Sequence, residues 1–249
     1  MSSFWRDLRY GAALLIKSPG FTLVALLTLA LAIGANTAIF SVVRGVLLKP
    51  LPYPESDRLV TMYNSYPGVG VDFGSNGVPD YLDRREETSV FAGVTLIHSN
   101  SFNLGAEGSP ERVSGIRVTA SYFPTLRTPP ALGRAFTEED ATLGNETKAI
   151  LTWGLWQRLY GGDAGALGKD IRVNGKPHQI VGVMPEGFRF LDHQVELLTP
   201  FAFTDEQKSD DARHSNFATM IARLAPGVTV ARAQAQIDDL NRCNEKLFS

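Results

Sequence analysis

Between Lys17 and Arg44 the chain carries no charged residue for 26 consecutive positions. The apolar centre of that run, Phe21 to Val43, is 23 residues long. At about 1.5 Å rise per residue it makes a helix of about 35 Å, enough to cross a hydrocarbon core of about 30 Å with some tilt. A core helix of a soluble domain seldom stays apolar on every side for so many turns, because one face normally meets water. A secretory signal has an apolar stretch of about 7–15 residues and then a small-residue cleavage site. Here Ile39, Phe40, Val42 and Val43 continue the run. The segment reads as an uncleaved membrane anchor, and the remaining 205 residues from position 45 onward must fold beside a membrane.

The flanks give an orientation. Arg6, Arg9 and Lys17 precede the span, which keeps the amino terminus cytoplasmic, although Arg44 and Lys49 weaken the asymmetry. Residues 4–16 place Trp5, Leu8, Ala12, Leu15 and Ile16 at helical spacing opposite Arg6, Asp7, Arg9 and Lys17. A helix of this kind lies in the membrane interface, with Trp5, Leu8 and Leu15 as its apolar contacts, and Ser18-Pro19-Gly20 stops it. Inside the span Ala30, Gly34 and Ala38 recur every fourth residue. Small residues on one line let helices approach closely in lipid, so these three form a candidate packing face, and Asn36 and Thr37 add groups that prefer protein to hydrocarbon.

The overall net charge of −2 over 249 residues conceals two unlike parts. Up to Arg44 there are four bases and one acid, a net of +3; the rest holds 20 bases and 25 acids, a net of −5. That balance excludes a polybasic chain that binds nucleic acid by neutralising phosphates. An apolar fraction of 44% excludes a wholly disordered chain. Cys243 is the only cysteine, so no intrachain disulfide supports the fold.

After a connector containing Pro50, Pro52 and Pro54, elements of both kinds appear. Strands are expected at 59–63, 93–98, 113–119, 149–152, 195–203 and 217–224, and residues 64–77 as loop. Helices are expected at 79–91, 120–126, 154–160 and from Val230 to about Lys246, the last using Ala233, Ile237, Leu240 and Leu247. Thr137-Glu138-Glu139-Asp140 looks like a further helix start. Asn174-Gly175 between two β-rich runs predicts a hairpin with a type I′ turn over Asp170–Val183. The fold class expected is α+β: one amino-terminal transmembrane helix and then a two-lobed, mixed extracytoplasmic domain. The boundaries are 1–20 for the cytoplasmic amphipathic helix, 21–43 for the span and 44–249 for the domain, with an inserted lobe at about 128–204.

Catalytic signatures are missing. There is no phosphate-cradling G-x-x-x-x-G-K-[ST] loop, no nucleophile elbow and no H-E-x-x-H zinc helix. His98, His178, His193 and His214 lack metal-ligand spacing, and Gly68, Gly70 and Gly74 mark a loop. Glu86-Glu87, Glu138-Glu139 and Asp210-Asp211 are adjacent in sequence, so they do not face each other as paired catalytic carboxylates. Cys243 has no local His or acid arrangement that would mark a nucleophile, and Trp153 and Trp156 suit packing better than ligand stacking. The expectation is a protein with no catalytic residues, no cofactor and no metal.

Several segments together carry a resemblance. LTLALAIGANTAIFSVVRGVLLKPLPYPESDRLV, PDYLDRREETSVFAGV and FNLGAEGSPERVSGIRVTASYFPTL, followed by ALGRAFTEED, AILTWGLWQRLYGGD, LGKDIRVNGKPHQIVGVMPEGFRF and ARLAPGVTVARAQAQIDDL, resemble the MacB/FtsX-like permeases, especially their orphan permease branch. The resemblance covers nearly the whole chain. It implies one span followed by a periplasmic core of two lobes, one inserted in the other, and then three further spans. The chain ends before those spans, so a truncated or split permease half is expected. It also implies a separate ATPase whose movements reach the core through the membrane helices. The expected partners are the membrane, that ATPase, further permease helices and further copies of the chain, with no nucleic acid. The expected location is the inner (plasma) membrane. The rival reading is a single-pass, membrane-anchored binding module without transport.

Overall fold

The computed structural model describes residues 2–46, 51–66, 68, 70–86, 88–105, 110–190 and 195–248. It divides into two units, Met1–Leu51 and Pro52–Ser249. The connector residues 47–50 and His193, and the side chains of Phe4, Leu8, Ala12, Val42, Val43 and Leu247, lie outside the described residues.

The first unit is two helices, α1 (Ser2–Lys17) and α2 (Pro19–Val46). Only Ser18 separates them. Its carbonyl accepts from the Thr22 N–H at 3.0 Å, so Pro19 sits at the first helical position, where a missing N–H costs nothing. The break expected over three residues thus shrinks to one, and the apolar helix begins two residues before Phe21. Phe21 and Leu31 are 72% and 74% exposed, unlike the residues of a soluble core helix. Residues 19–41 are long and apolar enough to cross a bilayer.

The second unit is an α+β domain. Strands β1 (Leu59–Met62), β2 (Asn64–Tyr66) and β3 (Val71–Gly74) precede helix α3 (Val78–Glu86). Then come β4 (Phe91–Leu104), β5 (Glu111–Val118), α4 (Tyr122–Leu126) and β6 (Leu132–Gly133). Next are β7 (Lys148–Leu151), α5 (Trp153–Tyr160), β8 (Asp170–Val173), β9 (Lys176–Val183) and β10 (Leu197–Pro200). Helix α6 (Asp205–Lys208), β11 (Thr219–Leu224) and α7 (Val230–Phe248) complete it.

β4 organises the sheet. Its first half pairs antiparallel with β11 and its second half with β5, the change falling at Ile97. This explains why the strand continues past His98 through Ser99-Asn100-Ser101, where a polar run suggests an end. Pairing then passes from β5 to β10, β7, β9 and β8, and returns to β4 through Leu104 opposite Val173. Six strands therefore close on themselves as a small barrel. Phe102, Leu104, Val113, Leu151, Ile180 and Leu197 belong to the buried cluster associated with these strands. On the other side, β11 and β1 extend β4 into an open sheet covered by α3, whose Val78 and Tyr81 pack with Leu96 and Met220. A third cluster, centred on Ile97, Ile116, Tyr122 and Phe123, joins the two.

Local chemistry explains the agreements and the departures. At the β8–β9 turn Asn174 and Gly175 both have positive φ, 50° and 79°, as a type I′ turn requires. α5 is capped by the Thr152 side chain and ends at Gly161 with φ 60°. The Trp156 indole within it donates to the Asp163 carbonyl at 3.0 Å and the ring meets Trp153 edge-on, so this pair packs as expected. α3 stops at Glu86 instead of 91: the Thr88 hydroxyl donates to the Arg84 carbonyl, and Val90 and Phe91 turn into the sheet. Residues 137–142 make turns and no helix. There Asp140 accepts from the Thr137 N–H and from Arg134, closing the segment on itself, and Gly144 comes next at φ 92°. Residues 64–77, expected as loop, contain the β2–β3 pair, held by an edge-on contact of Tyr63 and Phe73.

Candidate functional site

Where the chain enters the domain, it is fastened by three side chains. The Tyr53 hydroxyl donates to the Arg189 carbonyl at 2.6 Å, and burial pushes its pKa up to about 12. Arg223 on β11 is 1% exposed. Its Nε donates to the Thr125 carbonyl at 2.7 Å, and its two terminal nitrogens donate to the Glu55 and Pro54 carbonyls at 2.9 Å each. Burial pulls this guanidinium below its usual pKa. From the connector side, Arg58 returns two hydrogen bonds to the Leu224 carbonyl, at 3.1 and 2.6 Å. Glu55 bridges Arg58 and Arg127, and both Glu55 and Arg127 hold left-handed backbone, φ 48° and 55°. Such conformations persist only where the surroundings fix them.

The outgoing end of the domain meets the same strand. Leu224 packs with Val90 and with Ala233 of α7. A groove of about 290 Å³ runs between β1, the β2–β3 pair and α7, lined by Met62, Tyr63, Phe73 and Ile237 among others. Inner support comes from Arg84, 3% exposed, which donates to Asn76 Oδ1 at 2.6 Å and Asn64 Oδ1 at 2.7 Å. Sequence reasoning missed both buried arginines. The one available signal was a basic residue at an inward position of an otherwise apolar strand, Met220-Ile-Ala-Arg223-Leu.

The six residues singled out from sequence all lie in the first unit. Trp5 and Leu15 are exposed on α1, at 64% and 46%, and the Leu8 side chain lies outside the described residues. Ala30, Gly34 and Ala38 are exposed on one line of α2, and a Cβ on Gly34 would meet nothing within 4 Å. They form a stripe, not a pocket. Among the described residues no group of three or more His, Cys, Asp or Glu is placed to hold a metal ion. His98 packs against Phe201 and Phe217, and burial together with Arg117 keeps it below the usual imidazole range.

An anchor helix followed by a barrel-plus-sheet domain whose two ends meet on one strand is an arrangement for holding a domain at a membrane. The family model of the MacB-like periplasmic core domain matches residues 22–240. The chain belongs to this family. The match takes in both α2 and the folded MacB-like core domain. The fold is also that of solved structures. The periplasmic region of MacB from Actinobacillus actinomycetemcomitans is 15% identical, with 74% of this chain and 82% of that one covered at a TM-score of 0.54. The extracellular domain of the noncanonic ABC-type transporter YknZ from Gram-positive bacteria is 16% identical, covering 76% and 93% at a TM-score of 0.52. At such identities the likeness is one of fold. No curated protein matches the sequence. The chain is thus a MacB-like core domain of the ABC permease type, preceded by a membrane-anchoring helix.

Proposed function

We propose that this chain is a permease component that couples a separate, cytoplasmic ATPase to its extracytoplasmic core domain, and that it performs no chemistry of its own. The observation that supports this most directly is the Arg223 clamp. Three hydrogen bonds join the chain entering the domain to β11 and to the end of α4, and those to a charged donor are each worth about 1.5–3 kcal/mol. A displacement that reaches Pro54 and Glu55 would therefore be passed to the sheet. In this reading Phe21–Val43 is the transmitting helix in the inner membrane, with the amino terminus cytoplasmic because Arg6, Arg9 and Lys17 flank it there. α1 then lies at the cytoplasmic interface, where a motor would touch it. Ala30, Gly34 and Ala38 face further permease helices or a second copy of the chain.

The test is extraction of the tagged full chain from native membranes in mild detergent. Co-elution of further membrane-spanning subunits and of an ATPase is expected. Gly34→Leu should reduce that co-elution while leaving the thermal unfolding of the core unchanged. A wild-type chain that elutes as a lone monomer would sink the proposal and favour a self-sufficient anchored module.

A further inference from the structure

A second cleft, unrelated to the connector, opens beside β5, the β8–β9 hairpin and β10. It has a volume of about 360 Å³, within the range of about 300–1,000 Å³ usual for small-ligand pockets. Arg117 of β5 and Lys176 and His178 of β9 line it, with Glu146 from the loop before β7. Phe102, Phe201 and, at the rim, Leu143 supply apolar wall. Among the described residues neither the Arg117 guanidinium nor the Lys176 ammonium has an acceptor in hydrogen-bond or ion-pair reach. Both side chains are exposed, as are those of Arg112 and Arg232, which likewise have no acceptor among the described residues, so the two cations of the cleft are open to an anion from solution. Glu146 accepts from the Gly144 N–H and makes no ion pair with either cation.

We propose that this cleft binds a small organic monoanion, its carboxylate received by Arg117 and Lys176 and its apolar body set against Leu143 and Phe201. The charge count favours a monoanion: two cations and one carboxylate leave a net of one positive charge when His178 is neutral. The guanidinium presents a planar fork of donors that suits a carboxylate. His178 makes the site responsive to pH. Its Nδ1 lies 3.1 Å from the Lys176 carbonyl, so with the proton on Nδ1 the free Nε2 can donate to an anion only once the ring is charged. Burial holds His178 below the usual imidazole range, Lys176 and Arg117 push the same way, and Glu146 and the Lys176 carbonyl oppose them. A bound carboxylate adds a second opposing charge, so binding takes up a proton and tightens as pH falls.

The inference stands apart from the coupling reading, and its test uses neither an ATPase nor transport. The full chain in detergent is titrated with sodium benzoate while the imidazole proton resonances are monitored by NMR. A saturable shift of the His178 signal is expected, with its pKa moving upward and tighter binding at about pH 5.5 than at about pH 7.5. Arg117→Gln and Lys176→Gln should each weaken binding about tenfold, as loss of a charge-assisted hydrogen bond does. Arg112→Gln, on the same strand but outside this cleft, should leave it unchanged. Neutral benzamide should not bind. The proposal is overturned if no saturable shift occurs or if Arg117→Gln binds as well as wild type. It is overturned too if inorganic phosphate binds as tightly as benzoate, since the apolar wall would then select nothing.

Discussion

The charged residues that matter most to this domain are the ones hidden from water. Arg223 is almost wholly buried and is held by backbone carbonyls instead of a carboxylate. Replacing it by Met would leave the Pro54, Glu55 and Thr125 carbonyls without their donor, and a loss of about 3 kcal/mol or more is expected in chemical unfolding of the core. Arg223→Lys should recover less than half of that, because a single ammonium cannot reproduce the fork that spans Thr125 on one side and Pro54 and Glu55 on the other. His98 gives a pH dependence whose direction is set by its burial between Phe201 and Phe217. Its folded pKa lies below the unfolded value of about 6.5, so its full stability is present above that pH and is lost as pH falls through it toward the folded value. Stability measured from pH 8 to pH 5 should decline below about 6.5, and His98→Leu should flatten that part of the curve. Asp140 acts lower down. Burial would raise its pKa, but the hydrogen bonds from Arg134 and Thr137 prevail and hold it below the usual carboxylate range, so its contribution persists to more acidic pH. Arg84, on a helix, leaves no sign of its burial in the sequence, and Arg223 leaves only its place in an apolar strand; what it holds is fixed by partner backbones 98 and 168 positions away.

Among the elements, those with strong local chemistry are readable and those defined by a distant partner are not. The β8–β9 hairpin is the readable case, because two residues that tolerate positive φ stand side by side between β-rich runs. Gly175→Ala should cost about 1 kcal/mol there, seen as a lower unfolding midpoint with the fold retained. Barrel closure is the unreadable case. It depends on β4 changing partners at Ile97 and on one pairing of Leu104 with Val173, and no periodicity announces either. Gly115 tests the closure. A Cβ at that position would overlap the Leu197 carbonyl oxygen and lie 2.6 Å from the Phe102 ring, where β5 runs beside β10. Gly115→Ala should therefore destabilise the core by about 2–3 kcal/mol in denaturant titration, more than Gly175→Ala, despite being the smallest possible change. The unexpected β2–β3 pair and the missing helix at 137–142 obey the same logic. A short strand in a glycine- and serine-rich segment has no pattern of its own, and the acids after Thr137 serve a closed turn in place of a helix dipole.

For the molecule as a whole, the division at about residue 51 separates two solvents. α2 displays Phe21, Leu31 and Phe40 outward, a surface suited to lipid, whereas the domain buries its apolar side chains in linked clusters. The proposed orientation makes a direct prediction through Cys243, the sole and exposed cysteine. In intact spheroplasts a membrane-impermeant maleimide should label Cys243 fully without permeabilisation; labelling only after lysis would reverse the topology. The anchor and the mixed class of the domain can be read from the chain alone, because an uncharged apolar run and local turn chemistry act over a few residues and survive without tertiary context; the family is legible only through the resemblance of whole segments to known permeases. Folding was needed to settle how the chain is fastened as it enters the domain, how six strands close, and which cations line a cleft together. Those features require groups far apart in sequence to meet, and the free energy that selects among such meetings is that of burial and pairing in the folded state, which no local pattern contains.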